Sequence, residues 1–137
     1  MELGDTDLFA LIVNSPNGIV PDSLAIYLLI QIFKVIDYLH SNNIIHCDIK
    51  PENFVLKFEQ NNRNIPILKL IDFGNSRRTG TGDDLKLKNF CGNKGYMIPE
   101  TFENNGFSEK VDEWIAGILM LNMLTGCDPL NEENVSD

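Results

Sequence analysis

Asp48, Lys50 and Asn53 fall within six residues of one another in the stretch HCDIKPEN (46–53). Apolar runs, Ile44-Ile45 and Phe54-Val55-Leu56, bracket that polar string. An Asp and an Asn so close together suit a site that handles a proton and a divalent cation. A Lys between them suits an anion. A second string, IDFG (71–74), puts Asp72 at the end of an apolar segment, with Gly74 free to turn sharply. Asp72 stands 24 positions after Asp48, and a hairpin is expected between them. A hairpin returns its ends to one place, which allows the two carboxylates to be neighbours. Two carboxylates, an Asn and a Lys describe a magnesium and phosphate site. The plainer alternative is that Asp48, Asn53 and Asp72 merely shape turns, which Asp and Asn favour.

Such a site needs elements to hold it. TDLFALIV (6–13) reads as a short helix that NSPNG breaks. A long helix follows, with Pro21 and Asp22 at its start and Leu24, Leu28, Ile32, Val35 and Leu39 at helical spacing. FVLKF (54–58) and ILKLI (67–71) read as two strands, with EQNNRNIP (59–66) as a polar turn between them. Residues 74–95 read as a long loop. Ser108 is the expected N-cap of a last helix through Thr125, and Gly126 its expected stop. The expected fold is α+β and mainly helical, with a small β-hairpin. Ile32, Val35, Leu39, Trp114, Ile118 and Leu119 are the expected core.

The chain has 137 residues, enough to bury roughly two-thirds of its unfolded surface. Its net charge of −9 argues against nucleic acid or an anionic membrane as partner. Cys47, Cys91 and Cys127 are isolated, so a disulfide framework or zinc site is not expected and a reducing compartment is. No secretory signal pattern opens the chain. The apolar region 24–39 is interrupted by Gln31, Lys34 and Asp37, as in a core helix. The expected setting is intracellular, cytoplasmic or nuclear.

HCDIKPEN resembles the catalytic loop of the protein kinases, and DFG resembles their magnesium-binding motif. Three further strings resemble the same family in its own order. MELGDTDLF (1–9) is similar to the hinge and the helix after it. CGNKGYMIPE (91–100) is similar to the end of the activation segment, and DEWIAG (112–117) to the start of the central buried helix. Lys50-Pro51-Glu52 resembles serine/threonine kinases rather than tyrosine kinases. The resemblance implies a kinase-like C-lobe, an incomplete domain without the N-lobe or the last C-lobe helices.

It also implies roles. Asp48 would accept or orient the proton of the substrate hydroxyl, and Lys50 would neutralise charge on the transferred phosphoryl group. Asn53 and Asp72 would hold Mg2+. Backbone groups of Glu2 and Gly4 would meet the adenine of ATP, and Asp7 its ribose. His46 would pack on Phe73, and Asp112 would bind backbone N–H groups around His46. Glu52 meets an arginine on the substrate in relatives that prefer basic sites, so the implied partner is a protein with a Ser or Thr acceptor, basic residues nearby. The sequence departs from the family at Cys47, where most relatives carry an Arg that grips a phosphorylated activation segment. It departs again at Asn93, where serine/threonine kinases carry Thr. The implied function is that of an ATP-dependent serine/threonine kinase, inactive as the isolated chain. The alternative is a non-catalytic, kinase-like binding or regulatory module.

Overall fold

In a computed structural model, residues 5–59, 62–79 and 108–129 are described. Strand β1 (Thr6–Asp7) runs into helix α1 (Leu8–Asn14), and a short turn leads to helix α2 (Asp22–Ser41). Strands β2 (Ile44–Ile45), β3 (Phe54–Glu59), β4 (Asn62–Leu70) and β5 (Arg77–Arg78) follow, and helix α3 (Lys110–Thr125) comes last. The strands make two small antiparallel sheets, one in the order β1-β3-β4 and the other pairing β2 with β5.

The apolar spacing of α2 explains its packing. Ala25, Leu28, Leu29, Ile32, Ile36 and Leu39 form one buried stripe, and α2 rests on α3 and β4. By length and composition α2 could cross a membrane, yet this stripe is packed into the core. On α3 the buried set is Val111, Ile115, Ile118, Leu119 and Met123, with Asp112 and Ala116 beside them. Phe54 and Leu56 of β3 complete the centre of the core. Each fully buried Leu, Ile or Phe in this core is worth about 1.5–3 kcal/mol over an exposed one.

Several sequence expectations need correction. Trp114 is 44% exposed rather than core. Leu121 and Leu124 of the same helix are also exposed. Val35 is half-buried at the core's edge. The polar turn is shorter than expected, because β4 begins at Asn62 and pairs through Pro66, opposite Phe58. The register shifts between Phe58 and Glu59, so a local irregularity absorbs part of what read as loop. Thr6 and Asp7 are a strand rather than the first turn of α1. The helix-start signal at Ser108 is one residue early. Glu109 precedes α3 directly, while Lys110 N–H donates to Ser108 Oγ at 3.4 Å. Of the loop 74–95, Arg77-Arg78 is strand, and residues 80–95 lie outside the described residues.

Gly126 ends α3 in the left-handed region, at φ 71°. A Cβ there would meet the Asn17 carbonyl oxygen, so glycine is needed both for conformation and for space. Val20 N–H donates to Met123 O at 2.9 Å close by. The end of α3 is thus fastened to the turn that joins α1 to α2.

Candidate active site

The loop between β2 and β3 carries Asp48, and its shape is set from α3. Asp112 is fully buried. Its Oδ2 accepts the His46 backbone N–H at 2.8 Å, and its Oδ1 accepts that of Cys47 at 3.0 Å. Cys47 holds φ 67°, a left-handed conformation that disfavours a side chain. Two charge-assisted bonds to adjacent N–H groups offset that strain. The Cys47 side chain is itself buried, and its thiol donates to Ile45 O at 3.7 Å.

Asp48 is the hub of the loop. Its N–H donates to His46 Nδ1 at 3.3 Å, which places the imidazole proton on Nε2. That Nε2–H donates to Ile71 O at 3.1 Å. The His46 ring also meets Phe73 edge-on, with centroids 5.0 Å apart, as the sequence led one to expect. Asn53 Nδ2 donates to Asp48 O at 2.8 Å and to Asp48 Oδ2 at 3.3 Å. Lys50 Nζ lies 3.2 Å from the same Oδ2. The loop closes in a short 3-10 turn, Pro51–Asn53, where Pro51 suits a first position that needs no N–H.

Asp72 arrives from the other side of the hairpin. Ile71 N–H donates to Asn53 O at 2.9 Å, and His46 holds Ile71 O and packs on Phe73. The residues on both sides of Asp72 are therefore fastened to the string 46–53. Asp72 has φ 62° and is exposed, and its Oδ1 accepts the Gly74 N–H at 3.2 Å. Left-handed backbone at two non-glycine positions of one site is the kind of strain that surrounding structure must enforce. Asp48, Lys50 and Asn53 are thus in direct contact. Asp72 is beside them through backbone links, its carboxylate turned to Gly74.

The remaining predicted residues sit differently. Asp7 caps α1, its Oδ1 accepting Ala10 N–H at 2.7 Å, and α1 packs against the 51–53 turn. Glu2, Gly4 and Asn93 lie outside the described residues. A cavity of about 380 Å³ opens between α1, Lys50–Glu52 and α3, and Glu52 and Asp128 line it. Asp48, Asn53 and Asp72 do not line it.

One residue of this network was missed from the sequence. His40 Nε2 lies 2.9 Å from Asp112 Oδ2, opposite the loop's own N–H groups. Its pKa is raised, chiefly by the hydrogen bond to Asp112 and also by that carboxylate's charge, against the opposing effect of burial. A basic residue in the last turn of a helix was the available signal, but nothing local connects residue 40 to residue 112.

Comparison with known proteins gives a consistent result. The protein kinase domain family matches residues 1–137. Serine/threonine-protein kinase dkf-2 of Caenorhabditis briggsae is 35% identical over 138 residues, covering 100% of this chain and 11% of that protein. Serine/threonine-protein kinase D2 of Homo sapiens is 35% identical over 138 residues, again 100% of this chain and 15% of that protein. An Aurora kinase of Eremothecium gossypii is 41% identical over 113 residues, covering 82% of this chain and 29% of that protein. The chain therefore spans less than a third of the length of each of these relatives.

Proposed function

Since this chain belongs to the protein kinase family, we propose that it supplies the catalytic-loop part of the C-lobe of a serine/threonine protein kinase. The reaction is transfer of the terminal phosphoryl group of ATP to a Ser or Thr hydroxyl of a protein. The observation that carries this reading is the convergence of His46, Lys50 and Asn53 on Asp48, with Asp72 fastened alongside.

The donor set fits magnesium. Mg2+ is bound through one or two protein oxygens plus waters and substrate phosphates, so a cage of acids is not required. Asn53 gives its Nδ2 to Asp48, which leaves its Oδ1 for a cation. Asp72 gives one oxygen to Gly74 N–H, which leaves the other. When bound, magnesium-ATP supplies the phosphoryl group and screens the charge of its oxygens.

The chain's own residues do the rest. Asp48 Oδ2 is engaged by Lys50 and Asn53, so Oδ1 is the atom that takes the acceptor hydroxyl's proton. Lys50, held 3.2 Å from Asp48, brings a positive charge to the same spot for the developing charge on phosphoryl oxygens. Asp7 uses Oδ1 for its cap and keeps Oδ2 for a ribose hydroxyl, with Glu2 and Gly4 assigned to adenine. Glu52, on a cavity that Lys50 also lines, suits a basic residue near the acceptor.

The test joins residues 1–137 beneath a kinase N-lobe and supplies ATP, magnesium and a mixed Ser/Thr peptide library. Asp48→Ala and Asp72→Ala are each expected to lower transfer by roughly a hundredfold or more, some 2.7 kcal/mol of barrier. A folded fusion that binds ATP but transfers nothing, with or without Asp48, would instead identify a non-catalytic binding module.

A further inference from the structure

We infer that His40 is a positioning residue for the catalytic loop, acting through Asp112 and making the loop's geometry respond to pH. Asp112 is the sole described side chain that bonds the N–H groups of both His46 and Cys47. Its Oδ2 is shared between the His46 N–H at 2.8 Å and His40 Nε2 at 2.9 Å. Any change in how strongly His40 draws on Oδ2 is felt at the other bond to that atom. The next residues along the chain are Cys47, in its left-handed conformation, and Asp48. The path from imidazole to Asp48 is therefore one carboxylate and two peptide units long.

The surroundings of His40 favour its charged form. It sits in the last turn of α2, where the helix dipole favours a cation. Among the described residues, the charged groups that act on it are Asp112 and Glu113 of α3 and Glu109 just before it, all acidic. Burial opposes them and is outweighed, so the pKa stands above the ordinary imidazole value. The neutral ring can keep the Nε2–H bond to Asp112, so losing the proton removes charge rather than the contact. Oδ2 is then held less by His40 and more by the loop. The sign for stability follows from the raised pKa. The contribution is complete below the imidazole's unfolded pKa and is lost as pH rises through the folded one.

Its bearing on rate rests on Asp48 being the catalytic base, but the following test does not. The chain holds two histidines, His40 and His46, so the source of a titration can be assigned. In 15N-labelled chain, the backbone amides of His46 and Cys47 are followed against pH alongside the His40 ring signals. Both amides should inflect at the His40 midpoint, above the ordinary imidazole value. In His40→Gln, which keeps a donor but cannot titrate, that inflection should vanish. Flat amides, a midpoint different from that of the His40 ring, or an inflection surviving in His40→Gln would overturn the inference. Should His40→Gln fail to fold, the match of midpoints in the unaltered chain decides.

Discussion

Asp112 shows why a fully buried acid can be worth its desolvation. Three donors meet its two oxygens, and two of them are backbone N–H groups. Replacing it with Ala would remove the carboxylate that both N–H groups and His40 bond. The expected loss is about 3 kcal/mol or more. Asp112→Asn keeps one acceptor oxygen but turns an amide donor toward the other N–H, so it should cost less but still be destabilising. Urea denaturation of the three proteins checks the order, and an unchanged midpoint in Asp112→Ala would show that the loop does not need this carboxylate.

At the scale of elements, the long helix and the β3–β4 hairpin were legible because their patterns are local. Ile32 and Leu39 recur on one face, and an apolar run flanked by Asn and Pro reads as a strand boundary. The same locality misled at β4, whose first residues look like turn and pair as strand. What holds that strand comes from α2. Gln31 Nε2 donates to Pro66 O at 3.1 Å, and Leu68 N–H donates to Gln31 Oε1 at 3.0 Å. One side-chain amide thus occupies the place of a neighbouring strand on the edge of β4, beside the Pro66 that cannot donate. Gln31 appeared in the sequence only as a polar break in an apolar helix. Gln31→Ala should cost about 1–2 kcal/mol and speed amide exchange at Leu68 while leaving Leu56, paired on the inner strand, nearly unaffected. Equal protection at Leu68 before and after the substitution would count against this role.

At the scale of the whole chain, two helices carry apolar surface that the described residues leave uncovered. Ile26, Ile30 and Phe33 flank an open groove on α2, while Trp114, Leu121 and Leu124 lie exposed on α3. The Asp48 site was readable from short strings because its residues are neighbours in sequence. Trp114 was misjudged because burial of a helix face depends on what lies against it, not on spacing. Contiguous apolar surface of this kind drives association. Residues 1–137 in isolation should therefore grow in apparent mass with concentration by light scattering. Phe33→Glu with Leu121→Glu should shift them toward the 15.5 kDa monomer. A monomer at every concentration tested would contradict this.

The carboxylate that shapes the loop of Asp48 lies 66 residues downstream of His46 and 65 downstream of Cys47. A ribosome making this chain delivers the loop long before it delivers Asp112. Until α3 emerges and docks on α2, the N–H groups of His46 and Cys47 have only water to bond, and nothing holds Cys47 left-handed. The hairpin and α2 can form early from near neighbours in sequence, but closing so long a loop is slow and costs entropy that only the finished core offsets. The site is thus among the last parts of the chain to become itself. A nascent chain arrested before α3 would carry every residue of the Asp48 string without the two bonds from Asp112 that shape its loop.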